Sequence, residues 1–65
     1  MDVCEKVRAY LEENKLTRVE VAERANIPYR AFSSMMLGER KMYPEELRAI
    51  CLALKVKAEL FMDTE

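Results

Sequence analysis

The sequence predicts an all-α fold, and two observations support that prediction. Apolar residues recur at helical spacing along the whole 65-residue chain, and no segment alternates with period two over enough length to form a strand. The single glycine, Gly38, and the two prolines, Pro28 and Pro44, fall between the apolar segments, where they are expected to end or begin helices. Because a chain of this length has room for one domain only, we expect a single all-α domain of five helices over residues 1–65.

The first two helices are predicted from their ends. The first runs over residues 3–13, with Asn14 as its left-handed terminator. The second has the clearest start, because Thr17 is followed three residues later by Glu20, which is the spacing of a capping box. We expect the second helix to stop at Asn26, since asparagine tolerates a positive φ better than any residue except glycine.

The other three helices follow from apolar spacing and terminal residues. The third spans residues 29–37 and ends at Gly38, and its expected buried face consists of Ala31, Phe32 and Met35. The fourth begins at Pro44, and acidic residues in its first turn oppose the helix dipole. Its inner stripe is expected to contain Leu47, Ile50, Cys51 and Leu54. A short fifth helix covers residues 58–62.

Charge and cysteine content exclude several classes of protein. The net charge is −1, but residues 17–41 hold five basic and three acidic residues, a local charge of +2. No signal peptide or long apolar run is present, so we expect a cytoplasmic protein with no membrane partner. Cys4 and Cys51 are expected to be reduced core residues. Without histidine, and with two thiols far apart in sequence, no metal, cofactor or small-molecule ligand is expected.

Ten residues and the spacing between them form a pattern that extends over about residues 7–61. They are Thr17, Glu20, Ala22, Ile27, Ser33, Gly38, Leu47, Ala53, Leu54 and Val56. This pattern resembles the lambda-repressor-like (Xre/Cro) helix-turn-helix family. The resemblance implies a compact five-helix domain, usually a homodimer, whose second and third helices form the helix-turn-helix. It also implies that the third helix binds operator DNA.

The resemblance and the helical spacing together assign base-contacting residues. Outward positions near the start of the third helix are Tyr29, Arg30, Ser33 and Ser34. Matching to the family motif favours Tyr29, Arg30 and Ser34 as the residues that approach bases. Arginine bonds guanine bidentately, which is worth ~1–3 kcal/mol of discrimination. Taken one at a time, these residues are also typical of any solvated helix face.

Phosphate contacts and a dimer interface complete the predicted site. Phosphates fix the register of a protein on DNA without carrying sequence information. The candidates for these contacts are Thr17 and Arg18 at the start of the second helix, and Arg40 and Lys41 in the loop after the third helix. Arg24 is expected instead to form a surface pair with Glu20. Phe61 and Met62 are candidates for a dimer interface or for the edge of the core.

Three functions were weighed against these residues. The one most favoured is a sequence-specific DNA-binding transcriptional regulator, a small repressor of the Cro or Xre type from a phage or mobile element. The alternative is a protein-interaction module that keeps the fold without binding DNA, which an exposed apolar patch over Tyr29, Met36 and Leu37 would support. An enzyme is not expected, because the sequence lacks histidine, a nucleophile motif and a phosphate-binding glycine loop.

Overall fold

Helices form the whole regular structure of residues 2–62, which are the residues that the computed structural model describes. In chain order they are α1 (Val3–Glu13), α2 (Arg18–Ala25), α3 (Tyr29–Met36), α4 (Pro44–Leu54) and a 3₁₀ helix (Ala58–Phe61). The all-α prediction is confirmed, and these residues contain no strand. The fifth predicted helix is a single turn of 3₁₀ helix, so this part of the chain has four α-helices rather than five.

One core joins all of these elements. α2 packs against α3 and α4, α1 packs against α3, and the 3₁₀ helix contacts both α1 and α4. The buried apolar residues are Val7, Leu11, Val21, Ala22, Ala25, Phe32, Met35, Met36, Ile50, Cys51 and Phe61. The Cα radius of gyration is 10.5 Å, close to the ~10.7 Å expected for a compact chain of this length.

Capping boxes begin the first two helices. At α2 the hydroxyl of Thr17 accepts a hydrogen bond from the amide of Glu20, and the Glu20 carboxylate accepts one from the amide of Thr17, both at 3.1 Å. This confirms the start predicted for the second helix. Asp2 and Glu5 form the same reciprocal pair at α1, although the sequence analysis did not identify it. Each box satisfies amides that have no partner within the helix.

All four α-helices end in the same way, on a residue with a positive φ. These residues are Lys15, Asn26, Gly38 and Lys55, with φ between 56° and 80°. The amide that follows each of them bonds a carbonyl five residues back, as in a Schellman motif. Asn26 and Gly38 confirm the predicted ends of α2 and α3.

The predicted left-handed terminator of α1 is wrong by one residue. Asn14 has a φ of −99°, and the left-handed residue is Lys15. The physical reason is that the side-chain amide and the backbone amide of Asn14 both bond the Tyr10 carbonyl, at 2.9 and 3.0 Å. These bonds keep Asn14 in the last turn of the helix, so the chain reverses at the next residue.

The buried face of α3 also differs from the prediction. Phe32 and Met35 are buried as expected, but Ala31 is only half-buried. Met36, for which no position was predicted, is 2% exposed and belongs to the core. The helix ends at Met36, and Leu37 is exposed. Met36 lies one turn after Phe32 on the same face, so the buried side of α3 is centred on Phe32 rather than on Ala31.

The two cysteines differ in their burial. Cys51 is buried, Cys4 is half-buried, and both thiols are free. Burial is the main cause that raises the pKa of each thiol, which favours the unreactive thiol form. Within residues 2–62, no helix combines the length and the apolar character needed to cross a membrane.

Candidate nucleic-acid interface

The exposed side of α3 carries all four predicted base-contacting residues. Phe32 and Met35 are both 0% exposed and fix the opposite side of the helix in the core. The four residues lie at helix positions i, i+1, i+4 and i+5, which share one face. They are Tyr29 and Arg30, which are exposed, and Ser33 and Ser34, which are half-buried.

The start of α3 lies open to solvent. Pro28, the residue before the helix, makes no side-chain capping bond, and its φ of −55° suits entry into the first turn. Tyr29 is 51% exposed, and Arg30 follows it on the same open turn. This end of the helix therefore presents free backbone amides, an aromatic ring and a guanidinium group together.

A side-chain hydrogen bond connects the start of α2 to the middle of α3. Arg18 Nη1 donates to Ser33 Oγ at 3.3 Å. The bond brings together a predicted phosphate contact and a predicted base contact that are fifteen residues apart. Because a guanidinium group has five N–H donors, Arg18 retains donors for a phosphate after this bond. Ser33 thus serves to position Arg18.

The hydroxyl and the amide of Thr17 are committed to the helix cap. The Thr17 hydroxyl donates to the Glu20 carboxylate at 3.0 Å, and the Thr17 amide bonds the same oxygen. These two bonds, followed by the charge of Arg24, lower the pKa of Glu20. The predicted surface pair of Glu20 and Arg24 is consistent with that effect. A phosphate contact by Thr17 would require Glu20 to move, whereas Arg18 needs no such change.

The two loop cations differ in their surroundings. Arg40 Nη1 forms an ion pair with Glu46 Oε2 at 2.8 Å, and the guanidinium lies 5.8 Å from the centre of the Tyr43 ring. The Cys4 thiol also donates weakly to the Arg40 carbonyl. Lys41 is exposed, and residues 2–62 give its ammonium group no ion-pair partner. Of these two loop residues, Lys41 is therefore the one whose charge is open to a ligand.

A contact that the sequence analysis missed fixes the far end of α3. Arg8 Nη1 donates to the Met36 carbonyl at 3.3 Å, at the C-terminal end of the helix. A cation there is favoured by the helix dipole. The two residues are 28 positions apart, so no local pattern in the sequence indicates the bond. It links α1 to the helix that carries the candidate site.

The two predicted dimer residues occupy different surroundings. Phe61 is 1% exposed, and its ring packs edge-to-face on Tyr10 with the ring centres 5.5 Å apart. Of the two alternatives predicted for Phe61, its burial therefore supports the edge of the core rather than a dimer interface. Met62 is 51% exposed and remains open to a partner.

The described residues offer no site for a metal, since no three potential ligand side chains among them lie together. The arrangement that remains is a polar helix face with Arg30 on it and Arg18 bonded beside it, which suits contact with a polyanion. Comparisons of the chain with protein-family models, curated proteins and solved structures found no match. The family resemblance therefore stays a prediction from the residues that carry it.

Proposed function

We propose that the chain is a sequence-specific DNA-binding transcriptional regulator, a small Cro- or Xre-type repressor. In this proposal α2, the turn after it and α3 act as a helix-turn-helix, and α3 enters the major groove. Two copies bind the two halves of a symmetric operator. The two-fold symmetry of a dimer matches an operator made of two symmetric half-sites.

One observation supports the proposal most strongly. The outward face of α3 carries Tyr29, Arg30, Ser33 and Ser34, and Arg18 at the start of α2 is bonded to the third of these. A phosphate bound by Arg18 would thereby fix the depth and register of α3. The α3 segment contains no acidic residue that would repel the DNA backbone.

Each side chain of this face has a distinct role in the proposed complex. Arg30 bonds a guanine edge bidentately. Ser34 is short enough to allow close approach of the helix and bonds a neighbouring base. Tyr29 contacts a base edge or the phosphate next to it. Arg18 and Lys41 contact phosphates on either side of the groove, which fixes position without selecting sequence.

The test is selection of bound duplexes from a random pool, using the whole chain. We expect a two-fold symmetric consensus. On that consensus, a dimer making about six phosphate contacts gives a slope near −5 for log affinity against log salt. A pool that yields no consensus, together with a slope near zero, would refute the proposal.

Two arginine variants separate base reading from phosphate binding. Arg30→Ala is expected to relax the preference at one position of each half-site, and Arg18→Ala to weaken all duplexes alike. Arg24→Ala is the matched control, because it removes the same charge from α2 at an exposed position near Glu20. If Arg24→Ala weakens binding as much as Arg18→Ala, the effect comes from overall charge and the proposed contact is wrong.

The alternative of a protein-interaction module would be supported by an exposed apolar patch over Tyr29, Met36 and Leu37. Met36 is buried and cannot belong to that patch, which leaves two exposed residues at opposite ends of α3. Single exposed apolar residues are ordinary on protein surfaces and do not form a binding site. No other observation on this face favours the alternative.

A further inference from the structure

The outward face of α4 combines charges of both signs with a highly exposed leucine. Ile50 is 0% exposed and points into the core. On the opposite side lie four exposed residues, Glu45, Arg48, Leu52 and Lys55. Leu52 is 74% exposed, the most of any large apolar residue described. Glu45, Arg48 and Leu52 therefore form a row along α4, and Lys55 at the C-terminal cap continues it.

A groove of about 350 Å³ runs beside this row. On the α4 side its lining includes Pro44, Leu47, Arg48 and Cys51, and Val56 and Met62 belong to the other wall. The four α4 residues lie at positions i, i+3, i+4 and i+7. Four residues at that spacing form the hole that receives a side chain from a neighbouring helix in knobs-into-holes packing.

We propose that a second copy of this chain occupies the groove, with the two α4 helices antiparallel. The two-fold axis crosses the outward face of α4 at the level of position 50 along the helix. In that arrangement Leu52 of each copy lies opposite Arg48 of the other, over the four-residue hole. Glu45 of each copy lies opposite Lys55 of the other. One surface thus supplies both the knob and the hole, as an interface of two identical patches requires.

Charge decides the direction of the helices. An antiparallel pair places Glu45 near Lys55 twice, and opposite charges attract across the interface. A parallel pair would place each residue opposite its own copy, so that Glu45 would face Glu45 and Lys55 would face Lys55. Met62 is exposed and also lines the groove, so it extends the apolar part of this contact.

The size of the face sets the expected strength. A standard interface covers ~800 Å² per partner, about a sixth of the 4851 Å² surface of this chain. A contact centred on one eleven-residue helix lies at the lower end of that range. We therefore expect a weak dimer, which binding to a two-fold DNA site would strengthen.

This inference rests on the proposed function for its purpose, since it names the contact by which two copies would pair on an operator, but its test needs no DNA. Glu45→Lys and Lys55→Glu are each expected to abolish dimers in sedimentation equilibrium, because each creates like-charge pairs. An equimolar mixture of the two variants restores opposite charges at both pairs and is expected to dimerise. Circular dichroism confirms that each variant is folded.

A second variant tests the apolar contact. Leu52→Glu is expected to raise the dimer Kd at least tenfold, whereas Leu60→Glu, an exposed leucine on the 3₁₀ helix outside this groove, leaves it unchanged. A wild-type chain that stays monomeric at millimolar concentration, or a charge-swapped mixture that does not dimerise, would overturn the inference. Dimers without selective DNA binding would instead refute only the proposed function.

Discussion

α3 and α4 are anchored alike but present different chemistry to solvent. Each places a fully buried side chain in the core, Phe32 from α3 and Ile50 from α4. Outward, α3 shows hydroxyl groups, one aromatic ring and one arginine, and its segment has no acidic residue. α4 instead shows an exposed acid, Glu45, then Arg48 and an exposed leucine, and Lys55 follows directly after its last residue.

The difference suits the two kinds of recognition proposed for this small scaffold. A surface that approaches a polyanion must keep carboxylates away, because like charges repel at close range. A surface that pairs with its own copy benefits from both signs in one row, since each charge then finds its opposite on the partner. The core holds both helices by the same means, so the outward residues alone distinguish the two surfaces.

The largest effect is expected from the anchor of α3. Phe32→Ala should lower the free energy of unfolding by about 3–5 kcal/mol, because it leaves a cavity where the ring was fully buried. A domain of this size has little more stability than that to lose. Urea denaturation measures the change, and Tyr29→Ala, at an exposed neighbouring position, should change stability by no more than about 0.5 kcal/mol. Equal effects of the two variants would mean that α3 is not anchored as described.

The next effect separates the two outward faces directly. Arg30→Ala on α3 is expected to lower the discrimination for guanine, at the base that Arg30 contacts in the proposed complex, by about 1–3 kcal/mol. Arg48→Ala removes the same charge from the exposed face of α4 and should leave base preference unchanged. Binding to the selected duplex and to a duplex changed at that guanine measures both. A loss of preference in both variants would erase the distinction between the faces.

A smaller effect is expected at the start of α4, where Glu46 holds Arg40 in an ion pair. Glu46 accepts hydrogen bonds from the Tyr43 amide and forms the ion pair with Arg40. Glu46→Gln keeps an oxygen that accepts the Tyr43 amide but removes the negative charge that holds Arg40. We expect a stability loss of at most about 1 kcal/mol, because the pair is partly solvated.

The released Arg40 should then be able to contact a phosphate. The salt slope of DNA binding is expected to steepen by about 0.9, the value for one added contact. Glu13→Gln removes the same charge at an exposed position of α1 and serves as the control. An unchanged slope in Glu46→Gln would place Arg40 outside the DNA interface even when it is free.

Local patterns in the sequence predicted most of the fold. The capping box at Thr17 and Glu20, the turn residues Asn26 and Gly38, and Pro44 at the start of α4 all act within a few residues of their own position. The helical spacing of the apolar residues predicted the all-α fold class correctly, because it too acts within a few residues. Such short-range signals do not depend on how the helices are arranged in space.

Contacts between distant segments could not be predicted. Arg18 to Ser33 and Arg8 to Met36 join residues fifteen and twenty-eight positions apart, and nothing local indicates either bond. The 2% exposure of Met36 likewise depends on the packing of neighbouring helices. Of the four residues predicted to face outward from α3, Tyr29 and Arg30 are exposed and Ser33 and Ser34 are half-buried. The bond between Ser33 and Arg18 became visible only in the fold.

The smallest effect concerns the ends of α3 and α4, which stop in the same left-handed conformation with different residues. Gly38 adopts a φ of 80° without strain, whereas Lys55 adopts 59° with a β-carbon that this region disfavours. Lys55→Gly is therefore expected to raise the free energy of unfolding by about 0.5–1 kcal/mol, after allowance for the greater freedom of glycine in the unfolded chain. Gly38→Ala should lower it by about 1 kcal/mol for backbone reasons alone, because no atom lies within 4 Å of the added β-carbon.

Lys55→Gly should also have opposite effects on folding and on pairing. Urea denaturation at low protein concentration measures the gain in stability of the single copy, and sedimentation equilibrium measures the loss of the Lys55 charge from the proposed dimer. If the variant is more stable and still dimerises as well as the wild type, Lys55 has no electrostatic role in pairing. If it is more stable and pairs less, the lysine is retained at a strained position because the surface of α4 requires its charge.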